Sequence, residues 1–164
     1  IACGVGSGTL LAPLGHKVPI VAERGYHIQS AVSRWPDLPP VLFEERSLLV
    51  VRLRSGLRVT SFVEIAREHS PADARKWARL RSHVAALGLP FENPGSEWMG
   101  ARPTLPDYLP AIGRSRRASN LLYAFGHQHL GLTLAAVTGE AIAAIAIGEA
   151  PAFDAAPFDI ERFA

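Results

Sequence analysis

Leu121-Leu122-Tyr123-Ala124-Phe125-Gly126-His127-Gln128-His129-Leu130-Gly131 is the stretch on which the reading of this chain turns. Its first five residues form an apolar run suited to a buried strand, and glycines bound the six that follow. From Leu132 to Ile147 the residues are small or apolar, the pattern of a buried helix. A glycine-bounded turn between strand and helix lets a flat or anionic ligand approach bare backbone amides. The helix N-terminus adds a partial positive charge of about half a unit there. Gly139 inside the helix costs about 1 kcal/mol relative to alanine, which points to close packing against a backbone or a ligand.

Composition sets the frame for that stretch. With 164 residues, 48% of them hydrophobic, the chain is long enough for a real core and too apolar for intrinsic disorder. Seventeen Lys and Arg against fifteen Asp and Glu leave a net charge of +2, too little to imply a nucleic acid or an anionic membrane as partner. A lone cysteine, Cys3, allows no internal disulfide and fits a reducing compartment. The opening Ile1-Ala2-Cys3-Gly4 resembles the end of a buried strand rather than a leader, so the expectation is a piece of a longer chain. Leu132–Ile147 is shorter than the roughly 20 residues of a membrane span and contains Glu140, so no transmembrane span is expected.

Before the central stretch, Ile1–Gly8 suggests a strand end and turn, and Thr9–Leu14 one short helical turn. Val18–Ala22 and Tyr26–Val32 suggest two strands joined by a charged corner, Glu23-Arg24-Gly25. After a loop with three prolines, Val41–Phe43, Leu48–Arg54 and Leu57–Ile65 suggest successive strands, the last two joined at Ser55-Gly56. Leu57, Val59, Ser61, Val63 and Ile65 would share one face of an antiparallel sheet. Ser70-Pro71-Ala72-Asp73 starts a helix, with Ser70 as N-cap and Pro71 at the first position. Trp77, Leu80, Val84 and Leu87 then recur at helical spacing up to Gly88, opposite a basic face of Arg75, Lys76, Arg79 and Arg81. That face is read as solvated. Leu89–Gly95 is a loop, Trp98–Arg102 and Tyr108–Gly113 are short extended segments, and the Pro/Ala-rich tail Glu149–Ala164 wraps the surface.

Several polar residues sit in apolar surroundings. Arg102 offers a bidentate fork for a carboxylate, or else forms an ion pair with Asp107 or another acid. Tyr26 and His27 either line a cavity or tie a hairpin corner. His127 and His129 flank Gln128, but no Cys, Asp or Glu in the turn completes a metal set. They are read as ligand-facing or hydrogen-bonded turn residues. No Gly-x-Ser-x-Gly elbow supports a hydrolase, and Gly4-Val5-Gly6-Ser7-Gly8 fails the spacing of a dinucleotide loop.

Taken in order, Gly15-His16-Lys17-Val18-Pro19-Ile20, Glu23-Arg24-Gly25-Tyr26-His27, Trp98 to Asp107, Leu109 to Gly113, and Gly126 to Gly131 with Thr133 and Thr138-Gly139 resemble the C-terminal part of the FAD-dependent D-amino-acid oxidoreductase superfamily. Its bacterial dehydrogenase branch is the nearest in pattern. Gln128 departs from that pattern, where glycine or a small polar residue is usual, and Cys3 replaces a more usual small residue.

The resemblance implies an α+β fold. A mainly antiparallel substrate-binding sheet with covering helices would span residues 18–104, and residues 1–17 and 105–164 would belong to an FAD-binding half. It implies FAD as cofactor and oxidation of a D-amino or cyclic imino acid by hydride transfer to the flavin. Arg102, Tyr26 and His27 would serve the small amino-acid substrate. Gly113, Gly126, His127, Gln128, His129, Leu130, Gly131, Leu132 and Thr133 would serve the cofactor. The implied partner is a missing N-terminal FAD-binding half or a separate subunit, with self-association of the chain as a further expectation. The alternative is a non-catalytic fragment of the substrate domain. The expected location is the cytoplasm, with peripheral attachment at the inner membrane as the variant.

Overall fold

In the computed structural model, which describes residues 1–31, 34–92 and 95–164, the elements follow one another as α1 (Ser7–Leu11), β1 (Val21–Ser30), β2 (Val41–Phe43), β3 (Leu48–Leu53), β4 (Gly56–Ala66), α2 (Ala74–Ala86), β5 (Ser96–Thr104), β6 (Ala111–Arg114), β7 (Leu122–Phe125) and α3 (Ala135–Ile147). The α+β class with mainly antiparallel pairing is as expected. The chain divides into two compact units, one of residues 1–23, 65–68 and 101–164, the other of residues 24–64 and 69–100. Val32 of the second expected strand and Asn93-Pro94 of the expected loop lie outside the described residues.

The strands of the five-stranded sheet take the order β2-β3-β4-β1-β5. The charged corner expected at Glu23-Arg24-Gly25 is instead the middle of one ten-residue strand, β1. Charge misled the reading because Arg24 is buried yet fully served. Its Nε donates to Glu64 Oε2 at 2.7 Å, and its terminal nitrogens donate to the carbonyls of Ser70 and Pro71. The β3–β4 hairpin pairs Leu53 with Gly56, so the loop is Arg54-Ser55, one residue earlier than expected. Gly56 sits at φ +124°, and a Cβ there would stand 1.9 Å from the Ser30 carbonyl oxygen.

The expected single face of β4 holds only to Ser61. Phe62 takes φ +71°, a bulge-like conformation that reverses the alternation. Leu57 and Val59 are buried, whereas Val63 and Ile65 are exposed and Glu64 turns inward. Helix α2 is capped by Asp73, whose side chain accepts from the Arg75 amide, rather than by Ser70. Ser70 and Pro71 lend their carbonyls to Arg24 instead. Leu80 and Val84 of α2 join Tyr26, Ile28, Leu48, Val50, Leu57 and Val59 in one core. Of the basic face, Arg75 and Arg79 are exposed as expected, whereas Lys76 pairs with Glu64 at 3.3 Å and Arg81 with Glu97 at 2.6 Å.

In the first unit β6 and β7 pair antiparallel, Ala111 opposite Phe125, and the backbone of Ile1 bonds to Leu122 and Ala124 of β7. The expected extended run Tyr108–Gly113 is broken: Tyr108 turns at φ +61°, and β6 starts at Ala111. Leu11, Leu105, Ala111, Tyr123, Phe125 and Ile160 form this unit's core, so the tail contributes a core residue rather than merely wrapping the surface. Helix α3 begins three residues later than expected. Arg114 caps its C-terminal end by donating to the carbonyls of Ile145 and Ala146. Only Thr138 and Ala141 of α3 are buried. Leu132 is 93% exposed and Ile147 73%, and nothing lies within 4 Å of a Cβ placed on Gly139. The expected burial of this helix is therefore not supplied by the chain itself. No helix among the described residues is long and apolar enough to cross a membrane.

Candidate functional site

The turn between β7 and α3 is shaped first by packing beneath it. Gly126 takes φ +85°, and a Cβ there would approach Leu105 Cδ1 to 2.6 Å. The Gln128 amide donates to the Pro103 carbonyl, and the Gln128 side chain donates to the Tyr108 carbonyl at 2.9 Å. The side chain that departs from the family pattern is thus tied to the neighbouring turn. His127 Nε2 lies 3.0 Å from Thr138 Oγ1, which locks the turn to α3, and burial holds its imidazole below the usual histidine range. His129, Leu130, Gly131, Leu132 and Thr133 face solvent.

The amides of this turn matter most. Those of Leu130 and Leu134 close local turns, but among the described residues nothing accepts from the amides of Gly131, Leu132 or Thr133. Helix α3 has no side-chain cap and no acid in its first turn. Its positive end is left uncompensated.

Gly113 is required from within the chain. A Cβ on it would meet the Tyr123 hydroxyl at 2.7 Å. That hydroxyl donates to Asp159 Oδ1 and accepts from the Ile160 amide, fastening the tail. Burial pushes its pKa up to about 12.

Arg102 lies on β5, where its Nη1 donates to Glu23 Oε1 at 3.3 Å, and the Thr104 hydroxyl donates to the other Glu23 oxygen at 3.3 Å. Asp107, the acid first considered for Arg102, pairs with Arg162 at 2.6 Å instead. The guanidinium is 30% exposed, and its remaining donors have no partner among the described residues. Glu23 and Thr104 were missed by sequence reasoning. The signal was strand parity, because Arg102 and Thr104 alternate along one face and Glu23 belongs to a strand, not a corner.

Tyr26 and His27, adjacent on β1, point to opposite faces of the sheet and so do not line one cavity together. Tyr26 is inside the core. Its hydroxyl donates to Glu64 Oε2 at 2.7 Å and accepts from the Asp73 amide, and burial raises its pKa. His27 stacks on Trp98, with ring centroids 4.9 Å apart and planes 18° from parallel. Burial and then the Arg58 guanidinium push its pKa down to about 4. Trp98 is 54% exposed and folds back over Gly100, where a Cβ would collide with the indole. The two rings make an uncharged aromatic surface.

A second constellation has the outline of a hydrolase triad. His16 Nε2 lies 2.8 Å from Ser115 Oγ, and His16 Nδ1 lies 3.3 Å from Glu161 Oε1. Ser115 is buried, however, and its Oγ accepts from the amides of Arg117 and Ala118. It has no free lone pair for attack, and the set serves to fasten the tail.

Comparison with known proteins finds similar chains. The chain is 34% identical over 168 residues to a D-amino-acid oxidase of Bradyrhizobium diazoefficiens, covering 99% of this chain and 40% of that protein. It is 33% identical to a D-amino acid dehydrogenase of Rhizorhabdus wittichii, with the same coverages. The fold matches glycine oxidase from Geobacillus kaustophilus with a TM-score of 0.82 at 22% identity, over 98% of this chain and 44% of that one. It matches L-proline dehydrogenase from P. horikoshii with a TM-score of 0.76 at 20% identity, over 99% and 46%. The chain spans about 40% of the length of the curated relatives it matches. Since the family model of the FAD dependent oxidoreductases, DAO, matches residues 1–145, the chain belongs to that family.

Proposed function

We propose that this chain forms the substrate-binding sheet and the cofactor-edge turn of an FAD-dependent enzyme that oxidises a D-amino or cyclic imino acid. The observation that carries this reading is the run of three unpaired amides, Gly131 to Thr133, at the uncapped and acid-free start of α3. These residues fit FAD: they present donors and positive potential to an electron-rich ring edge without a charged side chain in the way. FAD, when bound, accepts the hydride lost from the substrate Cα. The unpaired amides of Gly131 to Thr133 would hold such an edge and would stabilise negative charge gained there more strongly than the uncharged resting form.

Arg102 is assigned to the substrate carboxylate, which it holds through its open donors. The nitrogen lone pair must be free when the hydride leaves, so the α-ammonium would first give its proton to solvent water. Positioning carries most of the remaining work. Tyr26 acts from the core of its unit by steadying Glu64 and the start of α2, and His27 with Trp98 forms an uncharged aromatic surface of that same unit. Residues 1–17 and 105–164 are assigned to the FAD-binding half and residues 18–104 to the substrate-binding half.

Adding FAD to the purified chain, removing excess by gel filtration and recording the visible spectrum tests this reading. A retained flavin band that bleaches anaerobically with a D-amino acid is the expected result. A second reading is favoured by the 40% coverage of the relatives: the chain is inert until a separate FAD-binding part is supplied. A chain that stays colourless with FAD alone, but gains the band when that part is added, selects this second reading. A chain colourless under both conditions overturns the assignment of the turn.

A further inference from the structure

Three ion pairs set a scale for Arg102 and Glu23. Arg24 reaches Glu64 at 2.7 Å and spends its other donors on two carbonyls, while Arg162 reaches Asp107 and Arg81 reaches Glu97, each at 2.6 Å. These are closed pairs at charge-assisted distances. Arg102 and Glu23 stand 3.3 Å apart through one guanidinium nitrogen only. Among the described residues each Glu23 oxygen has one partner, Arg102 Nη1 or the Thr104 hydroxyl, also at 3.3 Å. A carboxylate offers about four acceptor sites and a guanidinium five donors, so both ends of this pair retain capacity. It is a loosely joined plus and minus, partly open, on one face of two strand segments in the same unit.

From this we infer that Glu23 is a specificity residue that receives the substrate's α-ammonium while Arg102 receives its α-carboxylate, so that the pair reads a zwitterion. The inference rests on the assignment of Arg102 to the substrate carboxylate. An α-amino acid carries its two charges a few bond lengths apart, matching a cation and an anion held side by side. A 2-hydroxy or 2-oxo acid offers only its carboxylate, which gains Arg102 but meets the repulsion of Glu23. Once water hydrolyses the imine and ammonia leaves, the resulting 2-oxo acid lacks the ammonium that held the substrate, which promotes its departure. Thr104 orients the Glu23 carboxylate and keeps one oxygen directed toward Arg102.

D-alanine and D-lactate, which differ by an ammonium against a hydroxyl, are titrated into the chain and followed through the backbone amide resonances of Glu23, Arg102 and Thr104. The wild-type chain is expected to favour D-alanine by about tenfold or more, the scale of one charge-assisted hydrogen bond. In Glu23→Gln the preference falls to within about threefold, because D-alanine weakens and D-lactate strengthens. Glu23→Asp keeps the preference, which separates a charge effect from loss of folding. Arg102→Ala weakens both by roughly thirtyfold. Equal weakening of both ligands in Glu23→Gln, or an unchanged preference, makes Glu23 a mere prop and overturns the inference while Arg102 keeps its role. Binding indifferent to Arg102→Ala, or no binding of either ligand, overturns the Arg102 assignment and the zwitterion reading with it.

Discussion

Single residues carry most of the testable chemistry. In a flavin-loaded form of the protein, Arg102→Ala removes a charged hydrogen bond of about 2 kcal/mol, or roughly thirtyfold in substrate KM. FAD content is expected to stay unchanged. Steady-state kinetics beside a flavin absorbance ratio checks both, and an unchanged KM removes Arg102 from the site. Tyr123→Phe strips the hydroxyl that fastens Asp159 and the Ile160 amide, so a loss of about 1–3 kcal/mol in a denaturant titration is expected. His27 has a definite sign with pH. Its folded pKa of about 4 lies below the unfolded value of about 6.5. The unfolded chain therefore takes up a proton that the folded chain refuses, and stability falls as pH drops from about 6.5 toward 4. Thermal midpoints across that window are expected to decline less steeply in His27→Gln. Asp107 adds a second acid-sensitive contact further down, because Arg162 holds its carboxyl below the usual range. That contribution is present above the unfolded carboxylate pKa and is lost as pH falls through the depressed folded value.

Elements behave according to what satisfies their ends and faces. The β3–β4 hairpin depends on Gly56, where a side chain meets both an unfavourable φ and the Ser30 carbonyl. Gly56→Ala is expected to cost more than about 1 kcal/mol, measured by urea denaturation. A neutral effect would show that this hairpin tip relaxes freely. Helix α3 shows the opposite condition, with a sound C-terminal end and an uncovered face. Arg114 holds its last carbonyls, and Gly148 ends it in the left-handed region. Leu132, Val137 and Ile147 remain in water, though burying such a side chain is worth about 1.5–3 kcal/mol. The isolated chain is therefore expected to self-associate through α3 as concentration rises in sedimentation runs, and Leu132→Lys with Ile147→Lys to suppress it. Strict monomer behaviour at all concentrations would show that the face needs no cover.

At the scale of the whole molecule, the two compact units divide what could be read in advance from what could not. Local pattern was enough for the antiparallel β2–β3–β4 run, for α2 and its buried stripe, and for the strand, turn and helix from Leu121 onward. In each of these, the spacing of apolar residues depends on near neighbours alone. The ordered motifs that point to the FAD-dependent family were equally legible, since glycines and prolines at set intervals reflect backbone demands written in the chain. Pairings across long separations were not. Arg24 looked like a surface corner because the acid and carbonyls that satisfy it stand some 40 residues away or more. Glu64 turned inward because Phe62 adopts a conformation that no propensity foretells. The partner of Arg102 proved to be Glu23, 79 residues earlier, and not the near acid Asp107. The sequence by itself determined the class, the family and the strand, turn and helix from Leu121 onward, because those follow from backbone geometry and local hydrophobic period. Only the tertiary structure decided which charges meet, which glycines are held by packing, and which side of α3 stays open, because Coulomb contact and burial act between residues brought together by the fold.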